Sequence, residues 1–191
     1  MEKFRKGLEK LVSELYEEDR KVLVHGEGVL SPRVMLVGEA PGEQETLLGR
    51  PFVGRAGRHL DAFLAGAGIR RDELYISNTV KFRPTRISAA GRLVNRPPTQ
   101  EEIALFLPWL EREIALVNPE YVVTLGNVPL RALLGRTITI GQAHGRFFET
   151  AGRPLYAMYH PASLIYNPSL KPVYAQDLEL LAARLHENPP S

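Results

Sequence analysis

The sequence predicts an α/β fold, a three-layer α/β/α arrangement whose middle layer is a parallel sheet of four strands. Three observations carry this expectation. Short, mostly apolar runs alternate with longer stretches of helical periodicity, the pattern of strands joined by helical crossovers. Val34-Met35-Leu36-Val37 is apolar without interruption, as a strand covered on both faces must be. The length of 191 residues suits one well-buried core and is short for two ordinary domains, so residues 1–191 are expected to form one unit.

Taken in order, Phe4, Leu8, Leu11 and Leu15 recur at helical spacing among charges and predict a helix within residues 1–19, docked by one stripe. The Val34–Val37 strand runs into Gly38 and a loop. Residues 56–67 carry Leu60, Phe63 and Leu64 at helical spacing, and Gly68 is the natural stop. Residues 74–78 read as a second strand. Residues 83–98 hold Pro84, Gly91, Pro97 and Pro98 among four arginines, which predicts an irregular loop longer than most connections. Thr99-Gln100-Glu101-Glu102 has the form of a capping box and opens a helix to about Val117, closed by Pro119. Residues 121–125 make a third strand with a tight exit at Gly126, residues 127–134 a short helix, residues 155–159 a fourth strand and residues 174–185 a final helix.

Composition removes several chemistries. There is no cysteine, which excludes disulfides, thiolate catalysis and cysteine-ligated zinc or iron–sulfur sites. No apolar run is long enough to span a bilayer, and residues 1–7 are too charged for the apolar core of a signal peptide, so a cytoplasmic protein is expected. The formal net charge of +2 demands no nucleic-acid partner. Arginine nevertheless outnumbers lysine, 18 to 6, and arginine suits bidentate phosphate contacts.

In a parallel sheet, sites lie beyond the carboxyl ends of the strands. Three of the four expected strands end in chemically capable residues: Gly38-Glu39-Ala40-Pro41-Gly42, Asn78, and His160-Pro161. The glycine-rich turn has the form of a phosphate cradle, but it lacks the Gly-Lys-Ser/Thr ending of a P-loop, and Glu39, Glu43 and Glu45 would repel a triphosphate. Separately, His160 reads as a structural histidine, Asn78 as a turn residue and Phe52 as core. Together with Glu39 they supply a carboxylate, an aromatic plate, an amide and an imidazole, a set suited to gripping a nucleobase.

With these residues in view, the sequence resembles the uracil-DNA glycosylases, and among them the family 4 enzymes, as a cysteine-free branch. The resemblance spans about residues 20–182 and rests on four ordered motifs: Gly38-Glu39-Ala40-Pro41-Gly42-Glu43, Gly49-Arg50-Pro51-Phe52-Val53-Gly54-Arg55-Ala56-Gly57, Tyr75-Ile76-Ser77-Asn78-Thr79-Val80-Lys81, and His160-Pro161-Ala162. It implies hydrolysis of the N-glycosidic bond of uracil in DNA after the base has been flipped from the stack. Glu39 and His160 are the implied catalytic residues, Glu39 positioning water and facing the cationic sugar, His160 donating to uracil O2. The base would be held by Gly38, Ala40, Phe52 as a stacking plate and Asn78 as the edge-reading amide, with Glu45 crowding out a thymine methyl. Leu164 is either an apolar wedge in the DNA or ordinary packing.

The sequence departs from that family in two places. Most family 4 enzymes hold a four-iron cluster on four cysteines, and the matching positions here are Leu11, Glu14, Phe82 and Phe106, three of them apolar, so packing is expected to fill the cluster's volume. No metal or organic cofactor is expected, and water is the co-substrate. Residues 83–98 form a longer loop, similar to that of relatives that trap uracil-containing DNA covalently through a loop histidine; the matching position is Asn95, so turnover is expected. Arg83, Arg86, Arg92 and Arg96 read either as phosphate contacts or as a solvated surface. The reading is a monomeric uracil-DNA glycosylase acting on uracil-containing DNA, with no membrane partner. Its rivals are a glycosylase for another deaminated base, a catalytically weak protein that binds uracil or single strands, and a metal-dependent nucleotide hydrolase.

Overall fold

The computed structural model describes residues 1–135 and 137–187. Its elements are α1 (Glu2–Leu15), β1 (Glu27–Gly28), β2 (Val34–Gly38), α2 (Glu43–Leu48), α3 (Arg55–Gly66), β3 (Tyr75–Asn78), β4 (Thr85–Ile87), β5 (Leu93–Asn95), α4 (Gln100–Val117), β6 (Tyr121–Leu125), α5 (Asn127–Leu134), α6 (Ile140–Ala143), β7 (Phe147–Thr150), β8 (Arg153–Met158), α7 (Ser163–Tyr166) and α8 (Lys171–Glu187).

The sheet order is β1-β3-β2-β6-β8-β7. The inner four strands are parallel, as the alternation of strands and helices predicts, and β1 and β7 add antiparallel edges. The expectation of four strands is therefore corrected to six. Both additions escape a pattern reading for the same reason: β1 has two residues, and β7 is an edge strand with no continuous apolar run.

Side chains alternate across β2, which divides the core. Val34 and Leu36 pack with Leu60 and Leu64 of α3 and with Tyr174, Leu178 and Leu181 of α8 on one face. Met35 and Val37 pack with Leu110, Ile114 and Val117 of α4 on the other. These are the two outer layers. The capping box at α4 is present: Thr99 Oγ1 accepts from Glu102 N–H at 3.2 Å, and Glu102 Oε2 accepts from Thr99 N–H at 2.7 Å.

Against α4 lies α1. Its buried stripe is Phe4, Leu8 and Val12, whereas Leu11 is half-buried and Leu15 exposed, so the expected Leu11 and Leu15 contacts are replaced by a stripe of i, i+4, i+8 spacing. Phe82 and Phe106 meet edge to face with ring centroids 5.6 Å apart, and Leu8, Val12 and Val80 close round them. Tyr16 covers Phe82 at 5.3 Å. The positions matching the four cluster ligands thus do not fit such a group: two are phenylalanines packed edge to face, Leu11 is a half-buried aliphatic side chain, and Glu14 faces solvent near Lys10. Packing fills this volume, but Val12 and Leu8 take the part expected of Leu11.

The region expected as an irregular loop at 83–98 is a hairpin. β4 and β5 pair in the register Thr85↔Asn95, Arg86↔Val94 and Ile87↔Leu93. Its tip is closed by Ser88 N–H donating to Arg92 O and Gly91 N–H to Ser88 O, with Gly91 at φ 72°. Arg96 ties the base to α4 through two bonds to the Glu102 carboxylate, at 2.6 and 2.7 Å.

Candidate active site

The parallel register decides which strand ends meet. Gly38 pairs with Asn78, so the glycine-rich turn after β2 and the amide at the end of β3 stand side by side. Two strands further along, Gly126 N–H donates to Met158 O at 2.8 Å, closing the end of β6 against β8, and its missing Cβ leaves room for the Cβ of His160. The segment between β2 and α3 folds over this crest and delivers Phe52.

Phe52 is buried and holds a left-handed backbone, φ 53°, unfavourable for a residue with a Cβ and kept only where the surroundings impose it. Arg71 imposes it from one side, donating from Nη1 to Phe52 O at 3.0 Å and from Nη2 to Pro51 O at 2.8 Å. Gly57 imposes it from another, since a Cβ there would collide with Phe52 O. Glu45 supplies the third constraint. Its Oε1 accepts from Val53 N–H at 3.0 Å and Gly54 N–H at 2.6 Å, and its Oε2 accepts from Gly42 N–H at 3.2 Å. Both oxygens are therefore occupied by backbone donors. Glu45 borders the cavity, and its carboxylate also braces the two loops.

Phe52, Asn78 and His160 share one cavity of about 320 Å³, together with Ala40, Asn95 and Tyr166. A roomier groove of about 620 Å³ between α1 and residues 20–25 gathers no comparable set. The Phe52 and His160 rings lie 5.7 Å apart, centroid to centroid. Gly38 lets the two groups close in: a Cβ there would collide with Asn78 Oδ1 and reach within 2.5 Å of the Phe52 ring. Asn78 is buried, and its Oδ1 has no hydrogen-bond partner. A buried acceptor that the protein leaves unpaired is costly and is open to a donor from solvent or from a ligand.

His160 is oriented by its own loop, its Nδ1 accepting from Ala162 N–H at 3.1 Å. That bond leaves Nε2 as the protonated nitrogen, a donor. Burial drives the His160 pKa down to about 4 against a smaller upward pull from Glu45, so the ring is neutral at neutral pH. Glu39 directly follows β2 and is half-buried; burial holds its carboxyl above the usual carboxylate range. Glu39 is not among the residues walling the cavity. It stands at the crest beside Asn78, with its backbone O accepting from Val80 N–H at 3.0 Å.

Not every expected contact residue reaches solvent. Leu164 is buried in the core among residues of α3 and α8, so of its two readings the structure has the packing one; two residues on, Tyr166 is 87% exposed at the cavity wall. Arg83 is engaged with Asn95 Oδ1 at 2.6 Å and with Glu43 at 3.3 Å, and Arg96 with Glu102, so both arginines serve the protein itself rather than standing free for phosphate. Arg86 and Arg92 are exposed on the hairpin.

One constellation was not anticipated. Lys81, fully buried, donates to Asn78 O at 2.6 Å and Ser77 Oγ at 2.6 Å and pairs with the buried Glu113 of α4. Glu113 also accepts from Tyr75 Oη at 3.1 Å and Ser77 Oγ at 2.9 Å. A lysine four residues from Ser77 in an apolar stretch was the available signal.

Comparison with known proteins agrees with this geometry. Residues 25–181 match the model of the uracil DNA glycosylase superfamily. The chain is 36% identical over 171 residues to a type-4 uracil-DNA glycosylase of Pyrobaculum aerophilum, covering 84% of this chain and 82% of that one. It is 38% identical over 165 residues to the type-4 uracil-DNA glycosylase of Thermotoga maritima, with the same coverage of 84% and 82%. In fold it is similar to the Pedobacter heparinus SMUG2 crystal structure, with a TM-score of 0.58 at 17% identity over 83% of this chain and 77% of that one. The chain belongs to the uracil-DNA glycosylase superfamily.

Proposed function

We propose that this chain is a monofunctional uracil-DNA glycosylase, hydrolysing the N-glycosidic bond of uracil flipped out of DNA and leaving an abasic site. The observation that carries this is the unpaired Asn78 Oδ1, buried against Gly38 in the cavity that the Phe52 ring also lines. Uracil offers N3–H to that oxygen and O4 to the amide NH₂, a pattern that cytosine inverts. The Phe52 plate contributes about 1–3 kcal/mol through stacking.

As the bond breaks, negative charge gathers on the base and positive charge on the sugar. His160, neutral with Nε2–H outward, donates to uracil O2, where the anion develops. Glu39 lies on the sugar side, where its ionised form faces the cation and orients the attacking water. The protein acts as a monomer in the cytoplasm and needs neither metal nor organic cofactor for this chemistry. Among the described residues, no helix is long and apolar enough to cross a membrane.

The test is uracil release from oligonucleotides carrying one uracil, single-stranded or opposite G or A, with Glu39→Gln and His160→Ala beside the native protein. Each variant should lose on the order of 10²–10³ in rate if preorganised electrostatics dominates. Binding of the same DNA without release by the native protein would replace this reading with that of a binding protein.

A further inference from the structure

The β4–β5 hairpin carries a feature that base excision as described above leaves unused. Residues opposite each other in the register share a face, and alternation places Thr85, Ile87, Leu93 and Asn95 on one side, Arg86 and Val94 on the other. Asn95 lines the cavity. Ile87 and Leu93, 65% and 54% exposed, therefore form a directly opposed aliphatic pair on the hairpin face that adjoins the cavity. Nothing in the described chain covers them.

The hairpin is built to hold this pair still. The tip is closed by the Ser88, Gly91 and Arg92 bonds, and the base by Arg96 to Thr85 O at 3.1 Å and by Arg83 to Asn95. Two large aliphatic side chains held in water on a braced projection cost free energy that a partner would recover. The adjoining charge indicates which partner. Arg86, on the opposite face of the hairpin, and Arg92, next to Leu93, stand exposed with no ion pair among the described residues, as contact with a phosphate backbone requires.

We propose that the hairpin is a DNA-opening clamp: the Ile87–Leu93 pair inserts against the bases beside the extruded nucleotide, while Arg86 and Arg92 hold the phosphates. Apolar side chains placed between base steps pay for unstacking with contact to the opened stack. The clamp rests on the base-excision reading for its site of action. It acts only where a stack must be opened, so its contribution belongs to duplex substrate.

The test compares native protein with Ile87→Ser/Leu93→Ser on one uracil in single-stranded DNA and in a U·G duplex. Release from single strands should stay within about twofold, while release from the duplex should fall on the order of tenfold. A duplex bearing an uncleavable abasic analogue with 2-aminopurine beside it reads the clamp without catalysis: its fluorescence should rise with native protein and stay low with the variant. That second readout separates failure of the clamp from failure of the glycosylase reading. Equal duplex rates with an unchanged fluorescence rise would overturn the clamp. Equal losses on both substrates would overturn it too, by making the hairpin a support of the cavity. Unchanged DNA behaviour with loss of a concentration-dependent dimer would overturn it in favour of a contact between copies.

Discussion

At the scale of single residues, the cavity separates two titrating groups that a sequence treats alike. Burial pushes the Glu39 carboxyl up and takes the His160 imidazole down to about 4, so the acid limb of kcat/KM belongs to Glu39, with His160 titrating lower still. The acid limb of the native protein should therefore vanish in Glu39→Gln, and a limb centred near 6.5 that survives in that variant would reject the neutral-donor role of His160. The same shift has a stability consequence. An unfolded histidine binds its proton as pH falls through 6.5, the folded one only near 4, so stability declines as pH falls between those values; the melting temperature of native protein relative to His160→Ala should drop across that window as pH is lowered. Lys81 acts one step back, through the Asn78 carbonyl. Lys81→Met alone leaves Glu113 buried and unpaired and should cost about 3–5 kcal/mol of stability. Lys81→Met/Glu113→Leu should recover most of the melting temperature yet keep a lowered kcat, because the ion pair is gone but so is the hold on Asn78. Full recovery of kcat with stability would reduce the pair to a structural one.

At the scale of elements, the informative comparison is between segments whose shape follows from local rules and segments whose shape is imposed. The Thr99–Glu102 capping box, the end of α4 at Val117 ahead of Pro119 and the fully apolar β2 were all legible, since the groups that satisfy them are neighbours in sequence. The 83–98 hairpin was not, because its strands are three residues long and its base is held by Glu102 of the following helix. The α1 stripe was misread in phase: which of Leu11 and Val12 turns inward depends on where Phe82 and Phe106 stand, not on α1. That aromatic packing yields a prediction of its own. Phe106→Ala should lose about 3–5 kcal/mol through the cavity it opens, read as a lowered midpoint in denaturant, with uracil release by the remaining folded protein unchanged.

At the scale of the whole molecule, a formal net charge of +2 is too small to draw the chain onto DNA, so local arginines set the salt dependence. Arg86→Ala/Arg92→Ala should flatten the plot of log affinity against log salt by about 2, roughly 0.9 per lost phosphate contact. Arg83→Ala and Arg96→Ala should change it little, and should instead loosen the hairpin whose base they tie. By itself the sequence determined the α/β class, the four inner strands, and the set of residues that meet at the strand ends, because periodicity and parallel connection are written locally and strand ends must converge. Only the tertiary structure decided how those residues and their neighbours are engaged. It occupied Glu45 with three backbone donors, buried Leu164 in the core, tied Arg83 and Arg96 to the protein, left Asn78 Oδ1 without a donor and placed Lys81 behind it. All but Leu164 turn on whether a polar group finds its partner inside the chain, and even partners a few residues apart in sequence, as Lys81 and the Asn78 carbonyl are, are brought together only when the sheet and its loops close.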